Sequence, residues 1–192
     1  MGGAGGVGGN FENIQSINIM AKRYPKTLSA GANNTVIALS ETEAGKLFFD
    51  DTRSDIGSEA EKMKFANSVN DLVVKFVRLD LLPNNTEVLV MERLYPIDFR
   101  AYEYEKRQLL FEVFEQELSI LHEAGFVHRD IKRPSEMKGF AFDNIFLTEK
   151  GFRLIDVGIS ALKSQVGEKL FDKFIEQENK ELKEFEDFLL NR

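Results

Sequence analysis

His128-Arg129-Asp130-Ile131-Lys132, Asp143-Asn144-Ile145-Phe146-Leu147 and Leu154-Ile155-Asp156-Val157-Gly158 follow one another between Leu118 and Ser160 and organise the rest of the chain. The first group is polar and comes after a long amphipathic pattern. The second opens an apolar run that Thr148-Glu149-Lys150-Gly151 turns back into Phe152-Arg153-Leu154-Ile155, which predicts a β-hairpin. The third sets one carboxylate between an apolar run and a glycine.

Upstream, Leu109, Leu110, Val113, Phe114, Leu118 and Leu121 recur at three- and four-residue steps between Tyr102 and Ala124. They predict a helix, stopped at Gly125, that delivers Phe126-Val127-His128 into the polar loop. Val73 to Leu82 and Glu87 to Met91 read as two strands joined by Pro83-Asn84-Asn85. Before them, SEAEKMKFANSVND reads as a helix, with Ala60, Met63 and Ala66 or Asn67 near helical spacing. Val36-Ile37-Ala38-Leu39 and Lys46-Leu47-Phe48-Phe49 flank Glu41-Thr42-Glu43 as a tight hairpin. Alternation puts Ala44, Lys46 and Phe48 on one strand face. Downstream, Val166, Leu170, Phe174, Leu182, Phe185 and Leu189 line one side of a helix with many Glu on the other. Such a helix more often faces a core than a partner.

Taken in order, these groups resemble the catalytic core of eukaryotic-type protein kinases, in which an H-R-D-x-K loop, an asparagine and a D-F-G turn bring nucleophile, metal and ATP together. The resemblance covers about residues 28 to 160 and implies an α+β, protein-kinase-like bilobal fold with a small antiparallel-sheet N-lobe and a truncated, mainly helical C-lobe. It divides the chain into a flexible glycine-rich segment, 1–25, and a minimal kinase domain, 26–192, with N-lobe 26–91, hinge 92–98 and C-lobe 99–192.

The resemblance also implies roles. Asp130 accepts or orients the proton of the attacking hydroxyl, and Lys132 neutralises the γ-phosphate, a D-x-K spacing similar to that of Ser/Thr kinases. Asn144 and Asp156 ligate Mg²⁺, which takes hard oxygens and only one or two of them from protein. Lys46 holds the α- and β-phosphates of ATP, although a turn at Gly45-Lys46 would leave Phe48 or Phe49 at its position. A helix glutamate pairs with that lysine; counting favours Glu61, with Glu59 as runner-up, and Met63 or Phe65 follows four residues on as core. The remaining nucleotide-binding positions are Gly31 in the Leu28-to-Val36 loop, Val36, Ala44, Met91 behind the adenine, Glu92 and Leu94 in the hinge, and Phe146.

There are departures from the family pattern. Only the middle glycine of the phosphate loop is kept, as Gly31. The metal-binding asparagine falls at Asn144 rather than Ser135, fourteen residues after Asp130 instead of five, an insertion of nine within Pro134 to Asp143. Val157 replaces the phenylalanine of D-F-G, and only thirty-four residues follow Gly158, without an A-P-E sequence. Arg129 thus lacks the phosphorylated residue it would hold in a relative, so activity needs either no loop phosphorylation or a bound partner.

Composition bounds the rest. Of 192 residues, 43% are hydrophobic, including seventeen Phe, enough for a real core. A formal net charge of -7 argues against nonspecific nucleic-acid binding. Without cysteine there is no disulfide, thiolate chemistry or Cys-type zinc site. No apolar run of eighteen residues predicts a membrane span, and MGGAGGVGGN is too poor in apolar side chains for a signal-peptide core. The expected activity is that of an ATP- and Mg²⁺-dependent Ser/Thr protein kinase, monomeric and acting on a protein substrate. A nucleotide-binding pseudokinase and a small-molecule kinase are the alternatives. Small size and architecture also look like those of mini-kinases that pathogenic bacteria inject into host cells, which makes a virulence effector with a host-protein target, located in the cytoplasm or secreted into the host, a further expectation.

Overall fold

The computed structural model describes residues 24–30, 34–48, 56–133 and 141–191. The expected glycine-rich segment, apart from Tyr24 and Pro25, lies outside them, as do Gly31, Phe49 and Ser135.

Strands β1 (Lys26–Ala30), β2 (Asn34–Ala38), β3 (Glu43–Phe48), β4 (Phe76–Leu81) and β5 (Glu87–Glu92) form one antiparallel sheet in the order β1-β2-β3-β5-β4. The apolar run Val88-Leu89-Val90 is buried on both faces, as expected of an inner strand, whereas β1 is exposed throughout. Gly45 lies within β3, opposite Ile37 and Val90, and a Cβ there would meet Val88 Cγ2 at 2.7 Å. Pairing on both sides places Gly45-Lys46 in the strand and out of the turn, and the close approach accounts for a glycine there.

Helix α1 (Ile56–Val69) packs on the sheet through Ala60, Met63 and Ala66. Its inner face also carries Glu59 and Lys62, so its apolar stripe is weak in the sequence. Asn67 fixes the chain leaving it: Nδ2 donates to Val73 O at 3.1 Å, and Oδ1 accepts Phe76 N–H at 2.8 Å.

A turn of 3₁₀ helix (Phe99–Ala101) precedes α2 (Tyr104–Ala124), β6 (Phe126–Val127), the hairpin β7 (Ile145–Thr148) and β8 (Gly151–Leu154), β9 (Ala161–Leu162), α3 (Lys163–Val166) and α4 (Glu168–Leu190). Helix α2 ends where Gly125 takes φ 100°, a left-handed conformation suited to glycine, and donates to His122 O. The buried side of α2 is Phe111, Phe114, Leu118 and Leu121. Leu109 and Val113, expected to face inward, are each 57% exposed. Phe111 claims the core because α4 lies on its side of the helix, and its ring meets Phe185 at 6.3 Å.

The expected C-terminal helix faces the core, but Gly167, at φ 80°, breaks it into α3 and α4. Leu170 is exposed and Phe171 buried in its place. Phe185 is the hub of this packing, its ring 5.2–5.6 Å from those of Phe114, Phe142 and Phe152.

Candidate active site

Lys46 is directly opposite Val36 and Leu89, and Ala44 is opposite Ala38 and Met91. Period-two alternation therefore gives one sheet face to Val36, Ala44, Lys46 and Met91. Lys46 is 3% exposed; its Nζ donates to Glu59 Oε1 and to Asp156 Oδ1, each at 2.7 Å. Burial acts to lower the lysine's pKa, but the two carboxylates outweigh it and hold the ammonium above the ordinary lysine range.

The helix partner is Glu59, not the expected Glu61. Two residues on a helix are about 200° apart, so once Glu59 points inward Glu61 is turned outward, and it is exposed. Burial pushes the Glu59 carboxyl up and Lys46 offsets part of that push. Among the described residues Glu59 Oε2 is buried without a hydrogen-bond partner. Met63, four residues on, is 1% exposed and lies in the same core as Val157. Lys62, to which the sequence reading gave no part, reaches across from α1 and donates to Gly158 O at 2.8 Å.

The polar loop is built on buried main chain. His128 is fully buried, and its Nε2 donates to Ile155 O at 2.9 Å. A carbonyl can only accept, which fixes the proton on Nε2 and leaves Nδ1 to accept Asp130 N–H at 3.3 Å. Ser160 Oγ donates to His128 O at 3.0 Å. Arg129 has φ 70° and is pinned from three sides. Its N–H donates to Glu178 Oε2 at 2.5 Å, its guanidinium to Ile159 O at 2.9 Å, and that guanidinium lies 3.9 Å from the centre of the Phe174 ring.

Glu178 of α4, which the sequence reading did not single out, holds this loop. It is 1% exposed and also accepts His128 N–H at 3.3 Å and a bond from His122 Nε2 at 2.8 Å. The signal was its position: Phe171, Glu178, Leu182, Phe185 and Leu189 share the inner face of α4. A second α4 acid, Glu184, forms an ion pair with Lys132.

Asn144, which opens β7, donates through Nδ2 to Asp130 O and Oδ2, both at 2.9 Å. The segment between, 134–140, lies outside the described residues, and its base is closed by the ion pair of Arg133 with Asp143 and by Arg133 N–H to Ala141 O at 2.7 Å. Asp156 follows β8 in a left-handed conformation, φ 59°, with 40% of its side chain exposed. Burial acts to raise its pKa, yet the attraction and hydrogen bond of Lys46 hold it below the usual carboxylate range. Asp130 differs: burial pushes its carboxyl up.

The donor set suits magnesium. Nδ2 of Asn144 is spent on Asp130, which leaves its amide oxygen as an acceptor, and Ile155 N–H to Asn144 O at 3.0 Å brings Asn144 next to the residue preceding Asp156; Mg²⁺ takes only one or two such oxygens from protein. Among the described residues, no cluster of three or more His, Cys, Asp or Glu has the arrangement of a metal cage.

At the end of β5 the Glu92 carboxylate accepts Lys75 N–H at 2.8 Å and forms an ion pair with the buried Arg153, and Glu92 N–H donates to Lys75 O at 2.9 Å. Leu94 N–H has no main-chain partner among the described residues, unlike Arg93 N–H, which donates to Thr42 O at 2.9 Å. Phe146 lines a cavity of about 380 Å³ with Pro96, Ile97, Phe142, Phe185 and Phe188. That cavity touches none of Lys46, Asp130 and Asp156. No helix among the described residues is long and apolar enough to cross a membrane.

No protein-family model and no curated protein sequence matches the chain. Among solved structures, the kinase PK-1 of the Cydia pomonella granulovirus aligns with a TM-score of 0.53 at 15% identity, over 79% of this chain and 57% of the viral one. The chain therefore spans just over half the length of that kinase. The likeness is one of fold, and it is to a viral kinase, so the expected kinship with bacterial effectors gains nothing from it. An antiparallel sheet followed by helices, with Lys46 tied to Asp156 between them, is a protein-kinase-like fold.

Proposed function

We propose that this chain is an ATP- and Mg²⁺-dependent Ser/Thr protein kinase. The observation that carries the reading is the buried Lys46 ammonium bonded at 2.7 Å to both Glu59 and Asp156, which draws strand, helix and turn to one point. Lys46 would hold the α- and β-phosphates, and Asp156 with the Asn144 amide oxygen would hold Mg²⁺, which supplies charge neutralisation on the phosphates when bound. Asp130 receives the proton of the acceptor hydroxyl. Its carboxyl, pushed up by burial, is a better proton acceptor than an ordinary aspartate. Asn144 fixes one of its oxygens, leaving the other for the acceptor. Lys132, two residues on, is the group that favours a protein hydroxyl over a small molecule.

One observation favours a second reading, nucleotide binding without transfer. Lys132 is engaged by Glu184 and must leave it to meet a γ-phosphate. Incubation with γ-labelled ATP, Mg²⁺ and a protein acceptor, followed by acid hydrolysis, separates the readings. Labelled phosphoserine or phosphothreonine supports the kinase. Stabilisation by ATP without label supports the second reading, and label confined to a small molecule contradicts both.

A further inference from the structure

We propose that Lys62 is a positioning residue that fastens α1 to the turn carrying Asp156; its bearing on phosphoryl transfer rests on the kinase reading above. Glu59 and Lys62 stand one helical turn apart on the inner face of α1, 2% and 9% exposed. An ammonium is seldom buried to that extent without a specific partner, because desolvation costs several kcal/mol that hydrogen bonds must offset. One partner is Gly158 O, 2.8 Å away and two residues past Asp156.

The turn needs an outside hold. Asp156 has φ 59°, a region that non-glycine residues populate sparsely. Lys46 supplies one hold through the Asp156 carboxylate, but Lys46 and Asp156 are the groups that nucleotide and cation would engage. The Lys62 bond uses neither side chain and persists when they are engaged. Val157, between them, is buried in the core and anchors the turn by packing, yet an isopropyl group leaves main-chain rotation unfixed. Lys62 fixes the carbonyl, so α1 and the turn move together and Asp156 stays aimed at the cleft.

The test uses the full chain with Lys62→Met, which keeps length and loses the donor, and Lys62→Arg, which keeps a cation. Amide exchange over residues 157–160 is read beside the Mg²⁺ concentration that half-saturates phosphate transfer. Lys62→Met is expected to speed exchange there by roughly tenfold to hundredfold, as for a lost charge-assisted hydrogen bond, and to raise the Mg²⁺ requirement with the acceptor KM unchanged. Lys62→Arg is expected to retain wild-type protection. Unchanged exchange in Lys62→Met overturns the proposal whatever the activity. Faster exchange in a protein whose wild type transfers nothing supports the fastening and overturns the kinase reading. If Lys62→Met does not fold, Lys62→Gln, too short to reach the carbonyl, takes its place with the same criteria.

Discussion

Replacing Glu178 with alanine is expected to loosen the Asp130 loop, forty-eight residues away in sequence. The carboxylate accepts Arg129 N–H at 2.5 Å, His128 N–H at 3.3 Å and the His122 ring at 2.8 Å. Each buried donor left without a partner costs about 1–3 kcal/mol, and the left-handed Arg129 loses the bond that holds it there. Partial solvation of Arg129 and His122 reduces the sum, which gives a loss of about 3–5 kcal/mol. For a chain of this size that lowers Tm by roughly 6–20 °C. Urea denaturation followed by circular dichroism measures the loss, and Glu178→Gln, which keeps one acceptor oxygen, should recover about half of it. Phosphate transfer by the folded variant should fall further than stability accounts for, because Asp130 is aimed by the same segment. A stability loss under about 1 kcal/mol would refute the claim that Glu178 holds the loop.

Glu59→Gln is expected to cut phosphate transfer roughly tenfold or more by weakening a charge-assisted bond, and Glu61→Gln to leave it unchanged; steady-state rates of the two variants decide between the glutamates. Asp156, held below the usual carboxylate range by Lys46, contributes stability present above its unfolded value near ~3.9 and lost as pH falls through its lower folded value. Denaturant midpoints of wild type and Asp156→Asn should therefore differ at pH 7 and converge in acid. Phe185→Ala removes the ring shared by Phe111, Phe114, Phe142 and Phe152 and should cost about 3–5 kcal/mol, whereas Leu109→Ala, on an exposed face, should change stability by less than about 0.5 kcal/mol.

The part of the fold that was legible in the sequence is the part governed by local rules. The β7–β8 hairpin follows from its turn residues, α2 from its period and Gly125, and β3 from alternation through Lys46. Lys46, Asn144 and Asp156 could be named because their neighbours carry a recognisable order. Glu59 was second to Glu61 because α1 buries two charged side chains, so apolar periodicity cannot phase the helix. Leu109 and Phe111 exchanged places for a tertiary reason, since α4 approaches α2 from the side of Phe111. Lys62 and Glu184 were illegible for a different reason, and Glu178 was passed over for the same one although it shares the apolar face of α4. A glutamate or lysine on a helix reads as solvated, and only contacts with a distant loop give it a partner.

The kinase account depends most directly on phosphate transfer that requires Asp156. Purified wild type and Asp156→Ala, each with Mg²⁺, γ-labelled ATP and a protein acceptor, supply the measurement. Label on serine or threonine is expected with wild type and its loss with Asp156→Ala, both proteins being folded by circular dichroism. Equal labelling by the two proteins, or none by wild type, would contradict it.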